Sequence, residues 1–504
     1  MSNLQSLSLY WPELIVTVTV LLTIVADLFY SNKESGRAAF WVLGGLILTQ
    51  AAISFQDSTI VTTLFMDNLA FDPFATFFKS LIILSTILVI FISQRTHELD
   101  GYRTGEYYAL IAVMVFGMFL MASAIDLIMV YISIEIVSIT SFILAGYLRG
   151  DQRSNEAALK YVIYGAFSSG IMLFGLSIVF GLAGSTKFFA IQEAMWNLEG
   201  SANFAFTLAS IFILAGFGYK ISAVPFHFWT PDVYEGAPTS ITAYLSVAPK
   251  AVGFAVAIRF FNQVFGDGGS FIDPSLTTFT ELPWPQLLAI LAVATMTLGN
   301  LVAIQQSSVK RMLAYSSIAH AGYMLMALPT LSSQGVYAVM IYLVMYLFMN
   351  LGAFFVVIYV KSQGGGESFE DYSGLGWKMP IVGIVMTVFM LSLTGIPPTA
   401  GFIGKFYLFA AVIKTGPQLY WLAIVGAINS VISLYFYMRV VKVMFFEGEP
   451  SATVVVPPLA IMLIFMALAI PSVVFGVYWT PIANWVSQSL VLYTQVINQL
   501  MAET

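Results

Sequence analysis

Residues 335–360 read GVYAVMIYLVMYLFMNLGAFFVVIYV, and no charged side chain interrupts them. A transmembrane helix needs about 20 mostly apolar residues, so this stretch is long enough to cross a bilayer. Similar runs recur from Leu14 to Tyr478 with short breaks between them. The chain is 59% hydrophobic and 9% charged, and its mean hydropathy is +0.88. Because no soluble fold could hide that much apolar surface from water, we predict an integral membrane protein.

The hydropathy pattern predicts an all-α, polytopic fold of about 14 transmembrane helices in a single membrane domain, residues 1–504. The predicted spans are 10–30, 38–56, 71–93, 106–123, 125–148, 154–183, 205–230, 239–261, 285–306, 309–328, 335–361, 379–413, 418–446 and 455–478.

The basic residues concentrate in alternate loops. Loops after odd-numbered spans hold Lys33, Arg37, Arg95, Arg103, Arg149, Arg153, Lys310, Arg311, Lys361, Lys378, Arg439 and Lys442. Even-numbered connections or their helix ends hold only Lys187, Arg259 and Lys414. By the positive-inside rule, the odd-numbered loops face the cytoplasm and both termini face the outer side.

Two predicted spans contain internal prolines, at Val224-Pro225-Phe226 and at Gly395-Ile396-Pro397-Pro398. Proline removes a helix hydrogen bond and leaves a backbone carbonyl exposed. Broken helices in corresponding positions of two halves indicate inverted repeats around an ion site. A simple kink in each helix is the alternative. The predicted units are N-terminal helices at 1–105, a first repeat at 106–261, a second repeat at 285–446, and a C-terminal helix and tail at 447–504.

Five further basic residues lie inside predicted spans, and all are lysine: Lys79, Lys160, Lys220, Lys250 and Lys405. A charge at the centre of a membrane helix costs roughly 2.5–3.5 kcal/mol or more, so five of them need a reason. A desolvated lysine can give up its proton near neutral pH, whereas arginine stays charged, so lysine suits a proton relay. Lys79 lies early in its span beside Asp72 and Pro73, and we expect it to snorkel to the interface instead.

Lys160 allows two interpretations. It follows Glu156 by four residues, which is the favourable helical spacing for an ordinary ion pair, so both a relay role and a static pair remain open. Lys220 precedes the first proline break, Lys250 lies in mid-span, and Lys405 follows the double proline. None of these three reaches water easily.

Glu135 is the only acid that we place well away from a helix end. A Glu135–Lys220 pair would hold the lysine protonated and release its proton when the pair separates, which would make it a switch. A static buried ion pair is the alternative. Among the histidines, His320 follows Ser316 and Ser317 and suits a proton relay, whereas His227 near the cytoplasmic end could simply cap broken-helix carbonyls.

The sequence lacks the residues and motifs that several kinds of chemistry require. The chain has no cysteine, so it offers no disulfide and no thiolate ligand for an iron–sulfur cluster. Its three histidines are too scattered for a convincing metal site, and no P-loop or dinucleotide fingerprint occurs. The net charge of −6 comes mostly from loop acids and does not indicate nucleic-acid binding. We expect no cofactor in this chain, so any redox chemistry belongs to a partner.

Four motifs carry a resemblance to a known family. They are GDQRSNEAALKY at 150–161, PFHFWTPDVYEGAP at 225–238, VKRMLAYSSIAHAGY at 309–323 and GIPPTAGFIGKF at 395–406. Together they resemble the subunit N family of bacterial NADH–quinone oxidoreductase, respiratory complex I, and the equivalent subunit 2 of the plastid and cyanobacterial enzyme. The second motif is highly specific, while the last two are shared with antiporter-like proteins more widely.

The resemblance implies two inverted five-helix repeats and a proton route along the middle of the membrane. It also implies roles: Glu135 and Lys220 as a gate, Lys250 and His320 as a bridge, and Lys405 near the outward exit. Lys160 matches a position that the family also uses. Some paralogues carry glutamate where Lys405 stands, which favours subunit N.

The resemblance further implies a non-redox subunit of a proton-translocating NADH:quinone oxidoreductase in the cell inner membrane, with both termini periplasmic. Its partners would be other membrane and peripheral subunits, including neighbouring antiporter-like subunits, together with membrane lipid. FMN, iron–sulfur clusters and quinone would be bound elsewhere in the complex. A cation/proton antiporter subunit and a purely structural scaffold are the alternatives; the second motif argues against the first and the buried lysines argue against the second.

Overall fold

The computed structural model describes residues 3–57, 59–195, 200–265, 284–448 and 454–490. Within these residues the chain is a bundle of α-helices with one short antiparallel hairpin, in which Thr62 pairs with Phe71. The predicted all-α membrane fold is therefore confirmed.

The regular elements follow the apolar runs of the sequence. The first ten helices are α1 (Asn3–Leu7), α2 (Trp11–Phe29), α3 (Ala38–Ser54), α4 (Pro73–Ser93), α5 (Thr104–Ser123), α6 (Leu127–Ala145), α7 (Gln152–Ala183), α8 (Phe188–Met195), α9 (Ser201–Ile221) and α10 (Trp229–Gly236). The others are α11 (Thr239–Phe265), α12 (Trp284–Ile304), α13 (Val309–Leu325), α14 (Ser333–Ser362), α15 (Leu375–Lys378), α16 (Pro380–Thr394), α17 (Ala400–Thr415), α18 (Tyr420–Phe446), α19 (Leu459–Val477) and α20 (Thr480–Gln488). The hairpin strands are β1 (Thr62–Leu64) and β2 (Leu69–Phe71), and short 3₁₀ turns lie at Ser35–Arg37, Leu328–Thr330, Phe369–Tyr372 and Pro417–Leu419.

The number of crossings is slightly lower than predicted. Among the described residues, 12 helices are long and apolar enough to cross a membrane, or up to 13 if the bent pair Phe369–Lys378 and Pro380–Thr394 is one span. The prediction of about 14 counted 309–328 and 379–413 as full crossings. The first contains the 17-residue α13, and the second divides into α16 and α17, of 15 and 16 residues. Each is shorter than the roughly 20 residues of a typical crossing.

Both predicted helix breaks are present. The helix α9 ends at Ile221, Ser222 takes a left-handed conformation with φ 63°, and α10 begins only at Trp229. The helix α16 ends at Thr394, Gly395 has φ 86°, and α17 begins at Ala400. The division into inverted repeats at 106–261 and 285–446 stays a prediction.

Two helices form the centre of the bundle. The most apolar windows of α11 and α14 are 100% and 94% buried inside the protein, whereas that of α7 is only 28% buried. The stretch 335–360 is therefore a central helix and not a lipid-facing one. A lysine on α11, such as Lys250, is surrounded by protein and can be stabilised only by neighbouring side chains and backbone.

Three basic residues that we expected near water are buried. Lys79 forms an ion pair with Glu13 of α2 at 2.5 Å, so the snorkelling prediction is wrong, because a remote helix supplies a counter-charge. Arg259 lies within α11, not in a connection or at an exposed helix end, and pairs with Asp72 at 2.7 Å while fully buried. Lys310 is also buried, at the start of α13.

Candidate functional site

The first helix break positions Lys220. This residue lies in the last turn of α9, is buried, and donates from Nζ to Ser138 Oγ on α6 at 3.3 Å. Glu135 lies three residues before Ser138, on the same face of α6. The two residues nevertheless form no ion pair within 4.0 Å, and Glu135 Oε1 is buried without a hydrogen-bond partner. The predicted direct ion pair is therefore wrong in this structure, in which Lys220 bonds to Ser138 of the same helix instead.

Lys250 occupies the centre of the bundle. It follows Pro249, an internal proline of α11, and donates from Nζ to Ser317 Oγ at 2.9 Å and to Ser317 O at 3.1 Å. Its ammonium also lies 5.6 Å from the ring centroid of Tyr234 on α10. The described residues include no carboxylate within ion-pair distance of this lysine, so neutral groups alone contact its charge.

A group of tyrosines surrounds His320. This histidine lies on α13, three residues after Ser317, and is buried. Its Nε2 is 2.9 Å from the Tyr437 hydroxyl, and its Nδ1 contacts the Tyr342 hydroxyl. The Tyr346 ring lies beside it, with centroids 5.1 Å apart. Because a phenol both donates and accepts, either ring nitrogen can exchange a proton with its hydroxyl neighbour.

The second helix break positions Lys405. From α17 its Nζ donates to Thr394 O, the last carbonyl of α16, at 2.8 Å and to Ser430 Oγ of α18 at 2.9 Å. The break thus supplies an exposed carbonyl, as the internal prolines predict. The ammonium lies 4.5 Å from the ring centroid of Tyr323, and the same ring lies 5.8 Å from His320.

These contacts join four of the predicted residues into one buried chain. The stem of Lys220 packs against α11 at Gly253, where an added Cβ would lie 3.4 Å from Lys220 Cγ. Lys250 is three residues from Gly253 on the same helix and reaches Ser317. One turn further along α13 is His320, which shares Tyr323 with Lys405. We call Lys220, Lys250, His320 and Lys405 the buried relay chain.

Lys160 lies outside the buried relay chain. Its side chain is 36% exposed and pairs with Glu156 at 2.7 Å and with Asp232 at 2.6 Å. Asp232 in turn pairs with Arg311 at 3.0 Å. The ion pair with Glu156 that the sequence left open is present, and it belongs to a partly exposed charge cluster.

Sequence reasoning missed several parts of the site. The tyrosines around His320 come from α13, α14 and α18, and nothing in an apolar run distinguishes them from ordinary core residues. Pro249 was a visible signal, since it stands directly before Lys250 in mid-span. His227 does not contact the buried relay chain; its ring lies against neighbouring Phe228, with centroids 4.4 Å apart.

Fold and site together define a polytopic membrane protein in which buried lysines and a histidine connect two broken helices. Residues 124–433 match the family model described as NADH:quinone oxidoreductase/Mrp antiporter, TM. The chain is 43% identical to NADH-quinone oxidoreductase subunit N of Anaeromyxobacter sp., over 97% of this chain and 98% of that protein. It is 45% identical to NADH-quinone oxidoreductase subunit N 2 of Chloroherpeton thalassium, over 97% of this chain and 96% of that protein.

A solved structure agrees. A chain of respiratory complex I from Thermus thermophilus, in a structure with bound aureothin, aligns with a TM-score of 0.75 and 29% identity, covering 94% of this chain and 98% of that chain. This chain therefore belongs to the subunit N family of NADH-quinone oxidoreductase. The resemblance carried by the four motifs is confirmed, and the antiporter alternative is the less specific match.

Proposed function

We propose that this chain is a proton-translocating membrane subunit of an NADH-quinone oxidoreductase, and that the buried relay chain carries the protons. The single observation that carries the proposal is the continuity of that chain: Lys250 bonds to Ser317 of α13, and His320 of the same helix shares the Tyr323 ring with Lys405. Burying four titratable groups next to one another inside a membrane protein costs free energy. Proton transfer is the function that uses such a series of groups.

The partners of each lysine support proton transfer over a static role. Lys250 and Lys405 bind only hydroxyls, backbone carbonyls and aromatic rings in the described residues. Neutral acceptors stabilise an ammonium less than a carboxylate does, so these lysines can release a proton more readily than a lysine held in an ion pair. Lysine charges also repel a metal cation, which favours protons over sodium as the transported ion.

Glu135 and Lys220 form the gate of this mechanism. In the closed arrangement the carboxylate contacts the lysine and keeps it protonated. In the open arrangement, with the two apart as in this structure, Lys220 loses that stabilisation and passes its proton toward Lys250. His320 then receives the charge through Ser317 and the surrounding tyrosine hydroxyls, and Lys405 passes it on at the second break.

The energy for this cycle comes from partner subunits. With no cysteine in the chain, we assign the FMN and iron–sulfur clusters to peripheral subunits and the quinone to a site elsewhere in the complex. This chain then acts as a non-redox translocase subunit beside other antiporter-like membrane subunits. Its location is the cell inner membrane, surrounded by lipid, with both termini on the periplasmic side.

The first test compares Lys250 with an exposed lysine. Lys250→Met keeps the stem but removes the titratable group, and we expect NADH-driven acidification of inverted membrane vesicles to fall at least about tenfold, as for loss of an acid–base group. Lys442→Met is the matched control, because its side chain is 67% exposed and its ion pair within the described part of the chain is with Glu447 at the surface. Lys79→Met is unsuitable as the control, since it would leave Glu13 buried without its partner. Normal pumping by an assembled Lys250→Met complex would refute the proposed route.

A further inference from the structure

The short helix α10 contacts both α9, which carries Lys220, and α13, which carries Ser317 and His320. At its start, Trp229 Nε1 donates to Tyr219 O at 3.0 Å and Thr230 Oγ1 donates to Ser222 Oγ at 2.8 Å. Tyr219 and Ser222 flank Lys220 at the end of α9. These two bonds therefore fix α10 to the helix end that carries Lys220.

Lys310 holds the other end of α10. Its Nζ donates to Glu235 O and to Ala237 O, each at 3.0 Å, and its side chain is only 2% exposed. The last carbonyls of a helix lack intrahelical partners and carry partial negative charge, so a buried ammonium is a strong cap for them. Lys310 belongs to the first turn of α13, which carries Ser317 and His320 further along. One ammonium thus couples α10 to the helix that contacts Lys250.

Carboxylates from the loops anchor Lys310. Glu367 Oε1 lies 3.5 Å from Lys310 Nζ and 2.8 Å from Lys361 Nζ. Glu98 pairs with Lys361 at 2.8 Å and accepts from Thr239 N, at the start of α11, at 2.7 Å. We call Glu98, Lys310, Lys361 and Glu367 the Lys310 network. It ties together the ends of α11, α13 and α14, and within it Lys310 makes the described hydrogen bonds to α10.

A second basic residue holds α10 from its exposed side. Arg311 pairs with Asp232 at 3.0 Å and contacts Glu235. Its side chain is partly exposed, so these pairs are weaker than the buried cap. A Lys310 variant retains these partly exposed pairs, so we expect it to fold while α10 is held less firmly against α13.

We propose that Lys310 is a positioning residue that clamps α10 to α13, so that a displacement of the broken helix at Lys220 moves Ser317 and His320 with it. This inference rests on the proposed proton route and deepens it. It adds a mechanical connection between the gate and the bridge that does not depend on proton transfer. Without the clamp, α9 and α10 can shift at the gate while Lys250 and His320 stay where they are.

The experiment measures three activities in membranes that contain equal amounts of assembled complex. They are NADH-driven proton pumping, NADH:quinone reduction, and NADH oxidation by an artificial electron acceptor. For Lys310→Met we expect the first two to fall about tenfold, a typical size for a residue that couples two sites, while the third stays unchanged. A purely structural defect would lower the amount of assembled complex on a native gel, while the three activities per assembled complex would keep their wild-type ratio.

Lys361→Met is the matched control. It removes a lysine from the same network, but Lys361 is 39% exposed, and its two carboxylate partners keep other contacts. Glu98 still accepts from Thr239, and Glu367 still lies 3.5 Å from Lys310. We expect pumping by this variant to stay within about twofold of the wild type, as for a partly exposed ion pair. Thr230→Val loosens the opposite end of α10 by one hydrogen bond and should lower pumping about threefold to fivefold. If Lys310→Met fails to assemble, this milder variant decides the question.

The outcomes separate the two proposals. If Lys250→Met abolishes pumping while Lys310→Met and Thr230→Val pump normally, the clamp is refuted and the proton route stands. If Lys361→Met loses as much pumping as Lys310→Met, the loss comes from removing a positive charge from the Lys310 network and not from freeing α10. The clamp is then likewise refuted. A Lys250→Met complex that pumps normally overturns both the route and the clamp built on it.

Discussion

At the scale of single residues, the structure divides the buried bases into two kinds by their partners. Lys79 pairs with Glu13 of α2, and Arg259 of α11 pairs with Asp72 at the start of α4, so each ion pair joins two helices. Lys250 and Lys405 bind hydroxyl and carbonyl oxygens instead. Sequence spacing identified both lysines of the second kind, but it misassigned Lys79 and Arg259, because their partners come from other helices and only the packed bundle shows them.

Glu98 provides a pH-dependent prediction outside the membrane spans. Burial raises the pKa of Glu98, but Lys310 and Lys361 outweigh this effect, so its pKa lies below the ordinary value. A carboxylate with a depressed pKa stabilises the fold at every pH above its unfolded pKa of about 4.3 and loses that contribution as the pH falls through the folded value. Glu98→Gln removes the charge.

The measurement is the midpoint of heat-induced loss of intact complex on native gels, at several pH values. Between about pH 5 and 8, where an unfolded glutamate is ionised, we expect Glu98→Gln to be less stable than wild type by a constant margin. The margin should shrink only under more acidic conditions. A margin that changes between pH 6 and 8 would show that Glu98 titrates near neutrality, contrary to this account.

At the scale of elements, the two breaks were the most predictable part of the site. Pro225, Pro397 and Pro398 are visible in the sequence, and Lys220 and Lys405 stand directly before and after them. The crossings near the breaks were less predictable. A hydropathy window cannot distinguish one long span at 379–413 from the shorter α16 and α17, because both arrangements have the same composition.

The second break depends on close backbone packing at Gly401. A Cβ at this position would lie 1.7 Å from Ser392 O of α16, and Gly401 N donates to Ser392 Oγ at 3.1 Å. Gly401→Ala must therefore push α17 away from α16 and separate Lys405 from Thr394 O. We expect a cost of about 1–3 kcal/mol in stability, as for overpacked cores, together with a loss of pumping.

Gly44→Ala tests this interpretation as a matched control. Gly44 is also helical, in α3, and nothing lies within 4 Å of its added Cβ. Alanine is the better helix former by about 1 kcal/mol, so this variant should be neutral or slightly stabilising. Both variants are compared by the thermal midpoint of the assembled complex. Equal midpoints for Gly401→Ala and wild type would mean that the break has room for a side chain.

At the scale of the whole molecule, the structure brings four of the six predicted site residues together, while their roles stay predictions. Lys220, Lys250, His320 and Lys405 do share one buried chain of contacts, whereas Lys160 lies apart from it. Periodicity places a residue within a span, but it does not say which spans are neighbours. The position of α10 between α9 and α13 could therefore not be predicted, and neither could the clamp by Lys310.

The last prediction concerns how this chain is driven under the proposed function, in which partner subunits carry out the redox chemistry. Energy must reach it as a displacement or a change of electric field from neighbouring subunits, and the element able to respond is a charge pair with two arrangements. Under the proposed function Glu135 and Lys220 are such a pair: they form no ion pair in this structure, and Lys220 bonds instead to Ser138, one turn from Glu135 on α6. In the proposed cycle, closing and opening the gap between Glu135 and Lys220 alternately traps and releases the proton on Lys220.

Lys220→Met removes the titratable group but keeps a stem that fits against Gly253. In tightly coupled membranes we expect pumping and quinone reduction to fall together, by at least about tenfold, because electrons cannot proceed when the proton step is blocked. Electron transfer to an artificial acceptor should survive, since the proposed function assigns the flavin chemistry to other subunits. All three rates are measured in the same membranes, with assembly verified on a native gel. Normal pumping in an assembled Lys220→Met complex would mean that Glu135 and Lys220 have only a structural role. Quinone reduction that continues without pumping would show that the gate is needed for transport but does not limit electron flow.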